Sequence, residues 1–432
     1  MCNIGKSYTL VLIFLVVAIN MIAIESVPLV LAQSGTKLSG IINSDMTWTA
    51  SNSPYYLTED TKIKNGVTLT IESGAEINLN GKTLEVDGAL RVLGTANNPI
   101  PFITSSTTDE EHSYGISPNA GMIFFTDTSK SYDQKTQSGS IIQYANFGSY
   151  ASCGITVRIQ SSPKITNNHL NIGVITTYGD STIISNNQFF GGAINVGGGS
   201  PTIMNNTLLI GGGGEEFAGG SGINIWGKNN ALVGDNSVYI NLTSDETNAI
   251  GIMIGSGSPI IAKNFVINND LIPKPVTGIL VYSNANPLIE NNTIEKNSLG
   301  INIYDSFGSP TPSILYNNFE QNRFNIYLGQ ESNPNSTVGD VNATNNWWGT
   351  TNQQTISQLI YDFKNNNKVG TVNFVPFLTS PNLQALPNPS EILPTPSPSV
   401  PEFSWLVLIP LITYMLLVAV TLRHRKTAIL SK

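Results

Sequence analysis

An asparagine placed shortly before an apolar residue recurs nine times between residues 146 and 346 of this chain, at steps of 19 to 30 residues. Six of the nine are the second residue of an Asn-Asn pair. A recurrence of this length is typical of repeat proteins, in which each unit buries its apolar face only against its neighbours. The positions are Asn146, Asn168, Asn187, Asn206, Asn236, Asn264, Asn292, Asn318 and Asn346.

A second mark precedes most of these asparagines by about 13 or 14 residues: a small residue followed by alternating apolar positions, as in Gly222-Ile223-Asn224-Ile225. Alternation with period two predicts a strand with one buried face. A unit of 19 to 30 residues that holds two or three short strands leaves no room for a helix, so we expect each unit to be one coil of parallel β-structure. The marks begin at Gly154, Gly173, Ala193, Gly222, Gly251, Gly278, Gly300 and Asn325.

The recurring asparagines have a structural explanation. A sharp bend between short strands needs a residue in the left-handed region, which Asn tolerates best after Gly. Amides stacked at the spacing of about 4.8 Å between strands can also hydrogen-bond from coil to coil. We therefore interpret all nine as a structural ladder rather than as a binding site.

The repeat and its ending, Asn345-Asn346-Trp347-Trp348-Gly349, resemble the right-handed parallel β-helix superfamily, and within it the NosD-like and pectate-lyase-like proteins. The resemblance covers roughly residues 55 to 378. It implies an all-β fold, a single-stranded right-handed parallel β-helix (solenoid). A fold of this kind serves many unrelated surface and carbohydrate-active proteins, so it does not by itself imply a function.

Both ends of the repeat region need closure because a solenoid end exposes apolar interior. At the N-terminal end we expect residues 33–54, with Trp48, to fold over as a cap before the β-helix of residues 55–378. At the other end we expect closure by Trp347, Trp348 and a helix within Thr355 to Asn365.

The termini predict export and membrane attachment. Residues 1–32 read as a signal peptide with a signal helix, cleaved after Ala32, although a retained anchor is the alternative. Residues 379–402 are rich in Pro and Ser and predict an extended stalk. Residues 403–422 predict a transmembrane helix, and the basic tail 423–432 places the C-terminus inside and the repeats at the extracytoplasmic surface.

The tripeptide Pro401-Glu402-Phe403, the apolar run and the basic tail together resemble the C-terminal sorting signal of archaeal surface proteins. That resemblance implies that the helix is removed and replaced by a lipid anchor. Retention as a single-pass helix is the alternative.

Charge and composition exclude several classes of partner and cofactor. The segment from Gln33 to Glu402 carries 16 basic and 28 acidic residues, a balance that disfavours nucleic acid and anionic polysaccharide. Two cysteines, Cys2 and Cys153, form no disulfide framework, and no set of residues has the spacing of metal ligands, so no cofactor or metal is expected. Candidate N-glycosylation sites are Asn335, Asn342 and Asn241, with Asn205 and Asn291 as weaker candidates in the turns.

The outward positions of the strands are candidates for ligand contact. We take the second and fourth residues after each small residue as outward, which includes Ile175 and Thr177. Aromatic rings can stack on sugars, and amides can bond hydroxyls. The alternative is that these are ordinary exposed strand residues favoured by β-propensity. The ligand-binding candidates are Trp226, Tyr282, Tyr304, Tyr327, Asn195, Asn224 and Asn302.

No catalytic residue is predicted, because none of these outward positions holds a carboxylate or histidine, as acid–base chemistry on a polysaccharide requires. The remaining carboxylates lie on loops, at Glu215-Glu216, Asp245-Glu246 and Asp305. The sequence therefore favours a non-catalytic surface protein with an envelope, adhesion or neutral glycan-binding role. It leaves open a polysaccharide-active lyase or hydrolase, and a NosD-like accessory to extracytoplasmic metal assembly that the resemblance implies.

Overall fold

A computed structural model describes residues 35–104, 121–149, 154–211, 220–242, 249–269, 275–306, 308–330 and 338–385. These residues form a solenoid in which each full coil contributes one strand to each of three stacks, here named ladders 1, 2 and 3. All the strand pairings within these described ranges are parallel, and only isolated antiparallel bridges occur, for example between Thr95 and Asn98. The solenoid architecture expected from the repeat is therefore confirmed.

Ladder 1 carries the alternating apolar marks of the sequence. Its first two strands are long enough to contribute to ladder 3 as well. Tyr55–Ile63, for example, pairs with Ile77–Asn78 of ladder 3 and with Thr83–Val86 of ladder 1. Its strands are Thr36–Ile42, Tyr55–Ile63, Thr83–Val86, Met122–Phe125, Thr156–Ile159, Val174–Thr177, Ala193–Val196, Ser221–Ile225, Ala249–Ile254, Val276–Tyr282, Leu299–Asp305, Phe324–Gln330 and Ile360–Tyr361.

Ladder 2 is a separate sheet of 13 strands. Its strands are Met46–Trp48, Thr68–Glu72, Ala89–Leu93, Ile141–Gln143, Lys164–Thr166, Ile183–Ser185, Thr202–Met204, Leu232–Gly234, Ile260–Ala262, Leu288–Glu290, Ser313–Leu315, Val341–Asn342 and Val372–Asn373. Ladder 3 follows in each coil, with strands Ile77–Asn78, Ile100–Thr104, Ala145–Ser149, His169–Asn171, Gln188–Phe190, Thr207–Ile210, Ser237–Ile240, Phe265–Asn268, Thr293–Glu295 and Asn318–Glu320.

The core is a set of apolar columns inside the coils. In ladder 1, Val157, Ile175, Ile194, Ile223 and Ile252 stack in register and are fully buried or nearly so. Ladder 3 contributes larger rings, such as Phe102 stacked on Phe147 at 5.1 Å between ring centroids. The branched Val and Ile side chains suit the inward positions of ladder 1 because they pack well on a pleated surface. Each coil therefore buries its apolar face mainly against the two adjacent coils.

The bend between ladders 2 and 3 divides two tasks between adjacent residues. The first residue takes the left-handed conformation, as in Asn167 with φ 57° and Asn186 with φ 56°. The second residue is buried and points its amide inside: Asn168 Nδ2 donates to Asn187 Oδ1 at 3.0 Å and to Ile142 O at 3.0 Å. The repeat pattern predicts both tasks for the second residue, whereas the structure divides them between the two residues.

This buried amide row differs from the predicted set at two positions. Asn317, not Asn318, accepts the bond from Asn292 Nδ2 at 2.9 Å, because Asn318 lies one residue further along in the strand. Asn146 is exposed, and Ala145 occupies the row position, where its backbone N–H donates to Asn168 Oδ1 at 2.8 Å. The row members are Asn168, Asn187, Asn206, Asn236, Asn264, Asn292, Asn317 and Asn346.

The segment expected to be an N-terminal cap is instead part of the first coil. Thr36–Ile42 pairs in parallel with Tyr55–Ile63, and Met46–Trp48 pairs in parallel with Thr68–Glu72. Trp48 points inward, is 1% exposed and stacks on Tyr55 at 4.9 Å. The coils therefore begin by Thr36 rather than at residue 55.

The C-terminal end is closed by the residues that follow the last asparagine. Trp348 is 1% exposed and stacks on Phe319 at 5.0 Å. The predicted helix is shorter and earlier than expected, at Gln353–Gln358, and it buries Ile356. Its N-cap is Asn352, whose side chain accepts bonds from the backbone of Gln354 and Thr355, which explains where the helix starts.

Residues that were expected to start a free stalk are packed on ladder 3. Leu378 N donates to Asn346 O at 3.0 Å, and Asn382 exchanges two hydrogen bonds with the side chain of Asn318. A short 3₁₀ turn, Leu383–Ala385, follows, and Ala385 is buried. We name Leu378 to Ala385 the C-terminal segment. The stalk predicted for residues 379–402 therefore does not include residues 379–385.

None of the helices in the described ranges has the length and apolar character needed to cross a membrane. The predicted signal peptide 1–32, most of the stalk, the predicted membrane helix 403–422 and the basic tail 423–432 lie outside the described residues.

Candidate functional site

The outward side of ladder 1 places every predicted ligand residue in one of two adjacent columns. The first column runs through Asn195, Asn224, Met253, Leu280, Asn302 and Tyr327, which pair in register from coil to coil. The second column, two residues further along each strand, holds Trp226, Gly255, Tyr282, Tyr304 and Gly329. Strand register therefore brings together residues that are more than 100 positions apart in the sequence.

One predicted pair points the other way. Ile175 and Thr177 are fully buried, and Val174 and Thr176 face outward instead. The cause is the position of Gly173, which precedes its strand by one residue, whereas Ala193 is itself the first residue of its strand. Shifting a strand by one residue exchanges its two faces.

The correct register adds three aromatic residues that the sequence analysis missed. Tyr178, 42% exposed, continues the second column beyond Gly197, and Tyr361 continues the first column beyond Tyr327. Phe324 lies beside Tyr327, edge-on at 5.7 Å. Tyr178 could have been found by correcting the register of its coil, whereas Tyr361 lies outside the repeat and had no signal.

We name this surface the front strip. It consists of Tyr178, Gly197, Trp226, Gly255, Tyr282, Tyr304 and Gly329 in one column and Asn195, Asn224, Met253, Leu280, Asn302, Tyr327 and Tyr361 in the other.

The rings of the front strip are held in place by stacking on one another and by the space that glycine leaves beside them. Tyr282 and Tyr304 stack at 5.7 Å between centroids with an interplanar angle of 12°, and Tyr327 and Tyr361 stack at 4.4 Å with 17°. A Cβ at Gly255 would lie 2.7 Å from Cζ of Tyr282, so glycine is needed for that ring to lie over the strand. Burial, and after it the neighbouring Tyr361, raises the pKa of Tyr327. The hydroxyl of Tyr327 is therefore neutral.

The amides form a second, outward series of hydrogen bonds. Asn224 Nδ2 donates to Asn195 Oδ1 at 2.9 Å, and Asn195 Nδ2 donates to Thr176 Oγ1 at 3.3 Å. Asn224 Oδ1 and Asn302 Oδ1 have no hydrogen-bond partner. Unpartnered acceptors are uncommon in folded proteins and need an explanation. Both oxygens are shielded from solvent, so a surface ligand would reach them only if the side chains turned.

Charged groups occupy the N-terminal part of the same outward face, which the sequence analysis did not identify. Lys62 Nζ bonds Glu85 Oε1 at 2.7 Å and Asp87 Oδ2 at 2.6 Å. The hydrogen bond to Asp87 is the largest cause that raises the pKa of Lys62, and the same bond lowers the pKa of Asp87. Arg158 lies over the ring of Phe124 at 5.4 Å. The face therefore changes from charged to uncharged along its length.

The loop carboxylates do not assemble a catalytic pair in the described residues. Asp305 is 6% exposed and accepts bonds from Gly308 N at 3.1 Å and Ser309 Oγ at 3.4 Å, so it holds a turn. Glu215, Glu216, Asp245 and Glu246 lie outside the described residues. The described ranges contain no group of three or more His, Cys, Asp or Glu side chains that could hold a metal ion.

The candidate glycosylation positions differ in access. Asn342 and Asn241 are exposed, although Asn342 Oδ1 accepts a bond from Thr344 Oγ1 at 3.1 Å. Asn335 lies outside the described residues. Asn205 is exposed because the buried amide belongs to Asn206, whereas Asn291 Oδ1 accepts a bond from Asn382 Nδ2 at 2.9 Å.

Part of the chain matches a family model, and two solved structures are distantly similar to it. Residues 173–367 match the family described as "Right handed beta helix region". Two crystal structures of the periplasmic alginate epimerase AlgG, a double mutant and a single mutant, are similar with TM-scores of 0.41 and 0.36 and identities of 12% and 11%. Each alignment covers 78% of this chain and 85% of the other. No curated protein sequence matches the chain significantly. The all-β solenoid of parallel strands is consistent with the right-handed β-helix that the match of residues 173–367 describes.

Proposed function

We propose that this chain is a non-catalytic cell-surface β-helix protein that binds neutral glycan along the front strip. The observation that carries the proposal is the composition of the strip: six outward aromatic rings and three amides, with no charged side chain among its described positions. Rings present flat apolar faces to sugars, and amides both donate to and accept from hydroxyls. A ligand without charge is the partner that such a surface fits.

Loop placement also supports the front strip as the binding surface. Long connections of the repeat region lie at both corners that border ladder 1: between ladders 3 and 1, as between Ile210 and Ser221, and between ladders 1 and 2, as between Gln330 and Val341. Other coils pass from ladder 3 to ladder 1 in two residues, such as Ile172 and Gly173. In repeat proteins, insertions map to loops on one side, often the binding side. Here that side borders ladder 1.

The proposed location is the extracytoplasmic surface. It rests on the signal-like residues 1–32 with cleavage after Ala32, the apolar run 403–422 and the basic tail 423–432, which would leave the C-terminus inside. The membrane and neighbouring envelope glycans are the proposed partners, and nucleic acid is not one, because the exported segment is acidic. Retention of the C-terminal helix and its replacement by a lipid anchor are both compatible with this location.

Binding to a panel of neutral and acidic polysaccharides tests the proposal. We expect the ectodomain to bind neutral glycans, and Trp226→Ala and Tyr304→Ala each to weaken binding about ten-fold, since losing an aromatic anchor costs on the order of 1–2 kcal/mol. The matched controls are Leu232→Ala and Ile260→Ala, which remove exposed apolar side chains from ladder 2. Equal binding by all four variants and the wild type would refute the proposal.

The same panel separates the two alternatives. Release of shortened or unsaturated products would favour the polysaccharide-active enzyme, with the Lys62, Glu85 and Asp87 cluster as the first group to mutate. Stoichiometric copper binding by the ectodomain, without glycan binding, would favour the NosD-like accessory to metal assembly.

A further inference from the structure

The chain contains two Asn-Gly pairs, Asn65-Gly66 and Asn80-Gly81, and both lie in tight turns between strands. In each turn the residue after the glycine donates its backbone N–H to the carbonyl of the residue before the asparagine, at 3.0 Å in the first turn and 2.7 Å in the second. Each asparagine is therefore the second residue of a four-residue turn that a hydrogen bond closes. The two pairs share sequence and turn position and differ in their surroundings.

The pair Asn80-Gly81 is fixed by contacts with other parts of the chain. Gly81 N donates to Thr104 Oγ1 at 3.0 Å, and Asn80 Nδ2 donates to Leu57 O at 3.0 Å. Thr104 is 1% exposed, and Asn80 is half-buried. The backbone nitrogen that follows this asparagine and the side-chain amide are therefore both held in place.

The pair Asn65-Gly66 is exposed and has no such contacts. Within the described ranges, neither the side chain of Asn65 nor the peptide unit that joins it to Gly66 takes part in a hydrogen bond. A Cβ at Gly66 would have no neighbour within 4 Å, so the space beside the turn is open. Gly66 has φ 81°, a conformation that favours glycine, and no side chain shields its nitrogen. This peptide unit is therefore free to rotate and is accessible to water.

An asparagine that precedes glycine can lose its side-chain amide by reaction with its own backbone. The nitrogen of the glycine attacks Cγ and loses its proton, the bond from Cγ to Nδ2 breaks, and ammonia leaves. Water then opens the five-membered imide at either of its carbonyl carbons, which gives aspartate or isoaspartate. The attack requires the peptide unit to rotate until its nitrogen faces Cγ, so the hydrogen bonds that fix Asn80-Gly81 oppose it.

We propose that Asn65 is a site of spontaneous deamidation in the folded protein, whereas Asn80, in the same dipeptide, is protected. The product places a carboxylate at the turn from ladder 1 to ladder 2, three residues after Lys62. Isoaspartate also adds a methylene to the backbone of a turn that packs closely against Gly88 of the next coil. This proposal goes beyond glycan binding and does not depend on it, because no residue of the front strip lies in these two turns.

Incubation of the full chain at mildly alkaline pH, then proteolysis at acidic pH and mass spectrometry, measures both sites in one sample. We expect the acid to form at Asn65 at least about ten-fold faster than at Asn80, since each hydrogen bond that must break first slows the reaction several-fold. Electron-transfer fragmentation distinguishes isoaspartate from aspartate. The chain unfolded in urea is the control, in which we expect similar rates because both asparagines precede glycine.

Thr104→Val tests the protection of Asn80 directly. It removes the hydroxyl that accepts from Gly81 N and keeps the branched shape of the side chain, so deamidation at Asn80 should rise several-fold while that at Asn65 stays the same. The comparison within the wild type does not depend on the folding of this variant. Equal rates at the two sites of the folded wild type would overturn the proposal. Asn65 that stays intact in the folded protein, after the unfolded chain has lost the same amide, would overturn it as well.

Discussion

At the scale of single residues, the buried amide row links eight successive coils through side-chain hydrogen bonds. Asn236 joins three coils: its Oδ1 accepts from the backbone and side chain of Asn206, and its Nδ2 donates to Asn264 Oδ1 and Ile203 O. All of these groups are buried away from water. A buried polar group that loses its partner costs about 1–3 kcal/mol.

The row predicts unequal effects for two asparagines that look alike in sequence. Asn236→Ala should destabilise the protein by roughly 3 kcal/mol or more, because it leaves several buried groups unpaired. Asn146→Ala should change stability by about 0.5 kcal/mol or less, because that side chain is exposed. Urea unfolding followed by circular dichroism measures both. Similar losses would mean that the row does extend to residue 146.

His169 gives the protein a local dependence on pH. Burial lowers its pKa below the ordinary value of 6.5, and its ring stacks on Phe190 at 4.8 Å. The unfolded chain therefore binds this proton at a higher pH than the folded chain does. The contribution of neutral His169 to the free energy of unfolding is present above pH 6.5 and is lost as the pH falls below that value.

Replacing His169 by Gln should remove that contribution. Gln occupies the register-equivalent position in the next coil, at Gln188, so the substitution suits the column. We expect the difference in free energy of unfolding between pH 7.5 and pH 5 to be smaller in His169→Gln than in the wild type. Parallel pH profiles for the two proteins would contradict this assignment.

At the scale of elements, strands and turns differ in how well the sequence predicted them. Strand identity followed directly from alternation, since Ile223 and Ile225 are inward and Asn224 is outward as their pattern indicates. Register was less secure, because the small residue before a strand marks the bend and not a fixed strand position. This explains why Ile175 and Thr177 were assigned to the wrong face, and why Tyr178 was missed.

The position of the amide row was ambiguous in sequence for a related reason. In an Asn-Asn pair, one residue bends the chain and the other bonds inward, and the sequence alone does not show which. The ambiguity is absent where another residue makes the bend, as Asp235 and Lys263 do. The single asparagine that follows each of them is then the one that bonds inward. Contacts such as Asn382 with Asn318, 64 residues apart, had no local signal.

One side chain of the C-terminal segment, that of Asn382, bonds it to two neighbouring turns of the solenoid. Asn382 Nδ2 donates to Asn291 Oδ1 at 2.9 Å and to Tyr316 O at 2.6 Å. Asn382→Ala should leave the melting temperature of the coils nearly unchanged but increase proteolytic cleavage within residues 378–385 several-fold, since it releases about 1–2 kcal/mol of local attachment. The control is Gln384→Ala, whose side chain is exposed. Equal cleavage of both variants would show that the segment is held by other contacts.

At the scale of the whole molecule, the described coils are successive units that pair with their neighbours in register. Asn168, Asn187 and Asn206 are separated by 19 residues each, and the strands between them pair without a shift in register. Stability in such proteins is approximately a sum of unit and interface terms.

Removing one whole coil should therefore leave a folded protein. Deletion of residues 187–205 joins Asn186 to Asn206 and keeps the 19-residue step, so we expect a cooperative unfolding transition and a rod shorter by about 4.8 Å in small-angle scattering. Deletion of residues 187–195 removes half a coil and should prevent folding. A folded product from the half-coil deletion, or an unfolded one from the whole-coil deletion, would argue against independent units.

The last amide of the row has a consequence for self-association. Asn346 donates through Nδ2 to Ile314 O at 2.7 Å and to Ala343 O at 2.8 Å, within its own end of the molecule, instead of to a following asparagine. A row that ends on its own carbonyls presents no template for another subunit, whereas an open row would recruit one and grow into a fibre. At this end, the buried amide row therefore leaves no side-chain donor that a second subunit could use to extend it.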